Sequence, residues 1–378
     1  MLKIKRTQNL DEAIVYILSK LLNEISKVVP LIIEITRFKR QSTKSNTNIA
    51  VQSGKKGWET LLIQELYSSL KLFIPHANVI GLEIDRKKSY IRQTFSSIKN
   101  ARFSHFVYDP RSGSSNWISG LLQAFSMRII LTKYRITPIV YLTDGSVRLQ
   151  RIQSIIVSSR DGLIVTLIDP IKLFPLFIHD RVIGPTIMPI TLSTINEVGL
   201  STDTKAYFKD FDSIYFTGLL YKSRLELFNK ISLLMKKKLP NFRLVIVPKD
   251  QNISNKEYLQ SLALNKYILT TTFQDTNQTF SLDRGEVNHL VQRVTEAISL
   301  GCVLFTTPVT GLNRYFKAGF HYIEFTTEDD LIDKIYHYQN NLEDALTIAR
   351  QGKIKYGELA AKNVFWNEIN DALENKLK

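Results

Sequence analysis

Arg293 and Glu296 are the two residues whose types and spacing most directly suggest chemistry. They stand one helical turn apart in a stretch with helical patterning, so their side chains share a face. A guanidinium binds phosphates and a carboxylate accepts hydrogen bonds from hydroxyl groups, so the pair suits an anionic ligand rich in hydroxyls. The alternative is a surface ion pair on a helix, worth about 0.2–0.5 kcal/mol.

The residues that follow this pair predict a helix end, a buried strand and a loop. Gly301 stops the helix, and Cys302–Thr306 has the apolar character of a buried parallel strand. Thr307, Thr310 and Gly311 then offer hydroxyl groups and a backbone that a ligand can approach closely. This loop is a second candidate for contact with an anion.

Further cations follow two other predicted strands. Gly218 comes directly after the strand Ser213–Thr217, and Lys222 and Arg224 open the next helix, whose free N–H groups and dipole favour a phosphate. Lys249 follows the next strand and is a candidate for contact with a base or with phosphates. The alternative is a tight strand-to-helix turn among solvated cations, because basic residues are common throughout the chain.

A reaction that activates an acceptor hydroxyl needs a general base. Asp109 and Asp144 each follow a predicted strand, and His105 lies within one. The alternative for each residue is a structural role. An aspartate after a strand often caps the next helix, and a histidine inside a strand usually belongs to a packed face. Asp329 and Asp330 open a helix and are predicted to cap it, so we expect no metal site.

An alternation of strands and helices must position these residues. It runs from Ile49 to Ile168 and again from Ser213 to Thr326, which predicts an α/β protein with parallel, doubly wound sheets. Ligands bind such sheets beyond the carboxyl ends of the strands. Several loop residues of the first series are predicted to lie there, namely Lys55, Asp109, Arg111, Asp144 and Ser146.

The pattern weakens between about residues 183 and 212, which predicts a domain boundary. We expect an amphipathic helical extension over 1–47 and two Rossmann-like domains over 48–200 and 201–378. The extension is either a helix lying on a membrane surface or one packed on the protein. Because no run approaches about 18 uncharged apolar residues, we expect neither a spanning helix nor a secretion signal.

The 378 residues carry a net charge of +15 and a single cysteine, Cys302. One cysteine excludes a disulfide framework and a paired-cysteine metal site, and it favours a reducing cytoplasmic compartment. The charge suits an anionic membrane surface, phosphorylated small molecules or nucleic acid, unless it reflects a lysine-rich proteome. We do not favour nucleic acid, because the chain has no zinc-finger, RNP or KH motif.

From Arg293 onward the sequence resembles a known family. It reads R-x-x-E-A-x-x-x-G-C, an apolar strand, G-L-x-x-x-F, G-x-H-Y-I-E-F and T-E-D-D-L. This is similar to the donor-binding half of GT-B glycosyltransferases of the group 1-like, spore-maturation-protein type. The resemblance spans Ser213–Trp366. It implies a GT-B fold with an N-terminal acceptor-side domain and a C-terminal nucleotide-sugar donor domain with closing helices, both Rossmann-like, facing across a cleft.

The resemblance also implies roles for the candidate residues. The glutamate at the position of Glu296 bonds the ribose of a nucleotide-sugar donor, and Arg293 would meet the diphosphate. The loop after Gly218 and the loop Thr307–Gly311 would lie beside the phosphates. The chain departs from the common pattern at Asn288, where a first glutamate is expected, so the stereochemistry of transfer stays open.

The implied function is transfer of a sugar from a nucleotide diphosphate-sugar donor to an acceptor hydroxyl. We expect a glycan or lipid-linked acceptor in cell-envelope or surface glycan synthesis, with no cofactor beyond the co-substrate. The expected location is the cytoplasm, with peripheral association at the inner face of the cell membrane. The alternatives are a non-catalytic protein that binds nucleotide-sugars or nucleic acid on a degenerate GT-B scaffold, and another two-domain Rossmann-like enzyme such as a sugar-nucleotide epimerase.

Overall fold

The computed structural model describes residues 14–15, 18, 48–54, 61–84, 93–94, 96–98, 103–110, 117–143, 148–158, 161–174, 181–198, 212–218, 220, 222–247, 254–271 and 290–375. The chain divides into two units. The first comprises Met1–Gly184 together with Glu368–Lys378, and the second comprises Pro185–Asn367.

The first unit is built on a parallel sheet. Its described strands are β1 (Asn48–Gly54), β2 (Asn78–Ile84), β3 (His105–Tyr108), β4 (Thr137–Leu142), β5 (Leu163–Thr166) and β6 (Val182–Ile183). They lie in the order β2-β1-β3-β4-β5-β6. The described helices between them are α1 (Leu61–Phe73), α2 (Trp117–Tyr134), α3 (Arg148–Ser158) and α4 (Pro170–Leu173).

The second unit opens with α5 (Leu192–Val198) and is built on a second parallel sheet. Its described strands are β7 (Ser213–Thr217), β8 (Arg243–Val247), β9 (Tyr267–Thr270), β10 (Val303–Thr306) and β11 (Ile323–Glu324), in the order β11-β10-β9-β7-β8. The helices are α6 (Lys222–Lys238), α7 (Asn255–Ala263), α8 (Gln292–Ser299), α9 (Glu328–Asn340), α10 (Leu342–Ala361) and α11 (Val364–Glu374). Both predicted α/β series are thus confirmed as parallel sheets.

The two sheets share one topology. In each, the first strand lies between the second and the third, so β1 is flanked by β2 and β3, and β7 by β8 and β9. The second strand is therefore added on one side of the first strand, and the third and later strands are added on its other side. Such a switch point opens a crevice at the carboxyl ends of the two adjacent strands, which is where doubly wound proteins bind their ligands.

Short polar motifs fix where the helices of the second unit begin. The Ser254 side chain accepts a hydrogen bond from the N–H of Glu257, whose carboxylate accepts one from the N–H of Ser254, forming a capping box before α7. Thr327 caps α9 through the N–H of Asp330. Asp329 and Asp330 lie in the first turn of α9, as predicted, and their carboxylates pair with Lys238 at 2.9 Å and Lys334 at 2.8 Å.

The chain passes between the units at Gly184, within the weakly patterned stretch but before the predicted boundary at residue 200. The segment after Gly184 is tied to the second unit by hydrogen bonds. The Pro185 carbonyl accepts from Arg314 Nη1 at 2.9 Å, and the Ile190 N–H donates to the Tyr356 hydroxyl at 2.6 Å. The prediction also kept the whole tail in the second domain, whereas Glu368–Lys378 group with the first unit.

The predicted helical extension over 1–47 lies outside the described residues except at positions 14, 15 and 18. Within the described part of the chain, no helix has both the length and the hydropathy that crossing a membrane requires. The predicted helix that carries Arg293 and Glu296 is α8, which begins at Gln292 after the extended N-cap residue Val291.

Candidate functional site

The candidate site lies at the switch point of the second sheet. Strand β7 ends at Thr217 and β9 ends at Thr270, so their carboxyl ends meet there. Arg224, in the first turn of α6, spans this point. Its Nε donates to Thr271 Oγ1 at 2.9 Å and its Nη2 donates to the Thr271 carbonyl at 3.3 Å. The guanidinium of Arg224 is therefore held at the crevice between β7 and β9.

A second guanidinium meets the first at an aromatic ring. The Cζ atoms of Arg224 and Arg293 lie 5.1 Å and 5.4 Å from the centroid of the Phe216 ring. The Phe216 side chain is fully buried at the end of β7. Both distances are within the range of a cation–π contact. Two positive charges beside one ring make a site that favours an anion with more than one charge.

Gly218 lets Arg293 approach the backbone. Its φ is +145°, a conformation that a residue with a side chain rarely adopts. A Cβ atom at Gly218 would lie 3.1 Å from both terminal nitrogens of Arg293. Glycine at this position thus allows both the turn after β7 and the placement of the guanidinium over it.

Glu296 is buried and hydrogen-bonded, which excludes the interpretation of a surface ion pair. Its Oε2 accepts a hydrogen bond from the Tyr258 hydroxyl at 2.7 Å, and only 3% of the residue is exposed. Burial raises the pKa of the Tyr258 hydroxyl, and the Glu296 carboxylate raises it further, whereas Arg293 lowers it. The Tyr258 hydroxyl therefore stays neutral and donates its hydrogen bond to Glu296. The Nε of Arg293 is buried and makes no hydrogen bond.

The predicted threonine loop adjoins this site along the sheet, since β10 pairs with β9. Thr270 Oγ1 donates to Thr306 Oγ1 at 2.8 Å, and Thr306 Oγ1 donates to the Thr307 carbonyl at 3.1 Å. Thr307 is buried and Thr310 is half-buried. Gly311 has a φ of +80°, and a Cβ atom there would lie 2.9 Å from Pro185 Cγ. Packing on Pro185 is thus sufficient to explain this glycine without a ligand.

The candidate bases of the first unit lie at opposite edges of its sheet. Asp109 follows β3 directly and is 6% exposed, so it lies at the carboxyl edge beside the switch point of β1 and β3. His105 opens β3, roughly 13 Å away at about 3.3 Å per residue. Its Nδ1 lies 3.0 Å from Ser104 Oγ, and burial lowers the pKa of its imidazole. A position at the amino edge does not suit a ligand-binding role in this fold.

Three other predicted positions lie wholly or partly outside the described residues. Asp144 and Lys249 lie outside the described residues. Lys222 is the first residue of α6, but its side chain is also outside the described part of the structure.

Several residues that contribute to the site were not predicted from the sequence. Phe216, Thr271 and Tyr258 were not singled out. Thr271 directly follows β9, and the rule that places ligands at the carboxyl ends of strands was the available signal for it. The expectation of no metal also assumed that the chain has no Asp-x-Asp motif, which is wrong, because Asp210 and Asp212 form one. Asp212 precedes β7 and accepts the N–H of Arg243 through its carbonyl, at the edge opposite the arginines.

Comparisons with known proteins find solved structures of similar fold. A structure of HepE from Anabaena, in complex with UDP and glucose, is similar with a TM-score of 0.52 and 10% identity, covering 87% of this chain and 100% of that one. A glycosyltransferase from Rickettsia africae has a TM-score of 0.52 and 12% identity, covering 88% and 99%. TarM from S. aureus has a TM-score of 0.50 and 10% identity, covering 76% and 58%. These structures confirm the predicted GT-B fold.

A family model described as glycosyl transferase-like matches residues 219–359. This region of the chain is similar to the glycosyl transferase-like family. No curated protein sequence matches the chain. The matched region contains Arg224, Tyr258, Thr271, Arg293 and Glu296. The candidate site therefore lies almost wholly within the family domain, and Phe216 and Gly218 immediately precede it.

Proposed function

We propose that this protein is a glycosyltransferase that takes a sugar from a nucleoside diphosphate-sugar donor, and that the site at the switch point of β7 and β9 binds the donor's diphosphate. The observation that carries the proposal is the pair of guanidiniums of Arg224 and Arg293 beside one buried ring, Phe216. Arginine binds phosphate oxygens through two parallel hydrogen bonds. HepE, which shares the fold, was crystallised with UDP, so UDP is the first nucleotide to test.

The chemical role of the two guanidiniums follows from where charge develops. Cleavage of the bond between the sugar and the diphosphate leaves negative charge on the leaving group. Cations fixed beforehand at that position stabilise the transition state without reorganising during the reaction. Arg224 is fixed by Thr271, and Arg293 is fixed over Gly218. Because this charge comes from the protein, we propose a reaction with no cofactor and no essential divalent ion.

Glu296 is the group that we propose for binding the donor's ribose. A carboxylate has about four acceptor positions, and the Tyr258 hydroxyl occupies one of those on Oε2. A ribose hydroxyl would bond to the same carboxylate beside Tyr258. The buried Tyr258–Glu296 contact would then orient the carboxylate as well as hold Arg293 near it.

For the base that activates the acceptor we propose Asp109, with Asp144 as the second candidate. Asp109 lies at the carboxyl edge of the first sheet, at its switch point. Replacing Asp109 by asparagine keeps the shape and removes the basic oxygen. We expect transfer to fall about a hundredfold or more while nucleotide binding stays unchanged. Equal loss of binding and transfer would show that Asp109 serves the fold.

The acceptor that we propose is a cell-envelope or surface glycan presented at an anionic membrane face. The support is the net charge of +15 and three exposed apolar side chains on α2, those of Trp117, Leu122 and Ile129. Flotation with vesicles containing anionic lipid tests this part. We expect the protein to float with anionic but not with neutral vesicles, and protein that stays at the bottom in both cases would contradict it.

The experiment that tests the activity itself is release of nucleoside diphosphate from UDP-, GDP- and ADP-sugars. We expect one donor class to be turned over by the wild type, and Arg293→Ala to reduce the rate about a hundredfold. Arg293→Lys keeps the charge without the planar fork and should restore only part of the rate. Arg243→Ala is the matched control, because Arg243 is an exposed arginine at the amino end of β8.

Two results would contradict the proposal. If Arg243→Ala and Arg293→Ala lower the rate equally, the effect is one of overall charge rather than of the site. If the wild type binds a nucleoside diphosphate but releases none from any donor, the chain is a binding protein on this fold.

A further inference from the structure

We infer that Phe216 is a positioning residue that gathers Arg224 and Arg293 into one site and thereby sets the preference for a diphosphate over a monophosphate. This inference rests on the proposed function and extends it to a residue that does not itself touch the donor. Phe216 is fully buried, so its contribution reaches a ligand only through the two guanidiniums.

The ring of Phe216 is held in place by the core. It packs edge-on against Phe228 of α6, with ring centroids 4.6 Å apart and an angle of 63° between the planes. A buried aromatic in such a contact has little freedom to rotate. The ring therefore provides a fixed surface at the end of β7.

The two arginines reach this ring from different parts of the chain. Arg224 comes from the first turn of α6 and is tied to Thr271, while Arg293 comes from α8 and lies over Gly218. Of these contacts, the one that both guanidiniums share is with Phe216. The negative face of an aromatic ring attracts cations, and this attraction offsets the repulsion between two like charges.

The consequence is a site with two fixed positive groups. A diphosphate carries charge on both phosphoryl groups and can engage both guanidiniums, whereas a single phosphate has fewer oxygens to share between them. Loss of the ring would leave each arginine with its own remaining contacts but without their common support. Binding of a diphosphate should then weaken more than binding of a monophosphate.

The test uses Phe216→Leu and Phe242→Leu in the full-length protein, titrated with inorganic pyrophosphate and inorganic phosphate by calorimetry. These probes do not depend on which nucleobase the enzyme prefers. Phe242 is the matched control, because it is a buried phenylalanine of the same core cluster that packs against Tyr267. For Phe216→Leu we expect about a tenfold loss for pyrophosphate and less than about threefold for phosphate. For Phe242→Leu we expect the ratio of the two affinities to equal that of the wild type.

Thermal unfolding of both variants separates this role from a loss of packing, since both should lower the melting temperature to a similar extent. The inference is overturned if the two variants change the ratio alike, or if Phe216→Leu leaves it unchanged. A wild type that binds pyrophosphate but turns over no donor would defeat the proposed function alone. A wild type that turns over a donor while Phe216→Leu keeps the wild-type ratio would defeat this inference alone.

Discussion

Replacing Gly218 by alanine tests the arginine site without changing an arginine. The φ of +145° at Gly218 means that a side chain there introduces backbone strain of about 1–3 kcal/mol. The added methyl group would lie 3.1 Å from both terminal nitrogens of Arg293 and 3.4 Å from Cζ of Phe216. The guanidinium ends a long side chain, so it can move away, and the chain should still fold. Displacing it should weaken pyrophosphate binding about tenfold.

Gly319→Ala is the control for this variant. Gly319 also has a positive φ, +77°, but no atom lies within 4 Å of the position that a Cβ would occupy. Urea unfolding should show a loss of about 1–3 kcal/mol in both variants, because both add backbone strain. Calorimetry should show weaker pyrophosphate binding only in Gly218→Ala.

A double mutant completes this test. In a chain that already carries Arg293→Ala, Gly218→Ala should have no further effect on pyrophosphate binding, because the group that it displaces is gone. If Gly218→Ala binds pyrophosphate as tightly as Gly319→Ala does, the reasoning about the guanidinium over Gly218 is refuted.

Three further changes test the interior of the second unit. Tyr258→Phe should lower the free energy of unfolding by about 1.5–3 kcal/mol, since the buried Glu296 carboxylate loses a donor; a urea midpoint equal to that of the wild type would count against this. Burial lowers the pKa of Lys266 to about 8, from 10.5. Because the Lys266 amine binds its proton more tightly in the unfolded chain, the free energy of unfolding of the wild type should rise between about pH 8 and pH 10.5. Lys266→Met should be more stable than the wild type at neutral pH, and its stability should not show this rise. Tyr356→Phe should lower the free energy of unfolding by about 1–3 kcal/mol, because the buried Ile190 N–H loses its acceptor. A urea unfolding curve identical to that of the wild type would contradict this.

The architecture of the chain was predictable because its signals are local. The run Leu163–Thr166, for example, is apolar up to its final threonine and is wholly buried in the sheet. Helix α8 is strongly amphipathic and ends at a recognisable stop before Gly301. The order of the strands was not predictable from these signals. It depends on which strands pair, and residues distant in sequence decide that.

The candidate site was predictable only in part, for the same reason. Arg293 and Glu296 share a helix, so their proximity could be inferred from spacing. The burial of Glu296 against Tyr258 could not, because Tyr258 lies on α7, 38 residues earlier. Likewise, the contact of Arg224 with Thr271 joins residues 47 positions apart. Phe216 occupies a continuously apolar strand, where its sequence context indicates only the core.

His105 shows how a strand boundary changes a functional interpretation. The sequence pattern placed His105 within a predicted strand. In the structure β3 begins at His105, so the residue lies at the amino edge rather than among ligand-binding loops. Asp109 depends less on that boundary, because it follows the strand in either description.

Binding of nucleoside diphosphates to the arginine variants tests the central claim most directly. Calorimetric titrations with UDP, GDP and ADP should compare the wild type with Arg224→Ala, Arg293→Ala, their double mutant and Arg243→Ala. We predict that at least one nucleotide binds the wild type and Arg243→Ala equally. Each single variant at the site should bind it about tenfold more weakly or worse. The double mutant should lose less than the product of the two single effects, because both arginines act at one site. If Arg224→Ala and Arg293→Ala bind every nucleotide as Arg243→Ala does, the diphosphate site is not where the two guanidiniums meet.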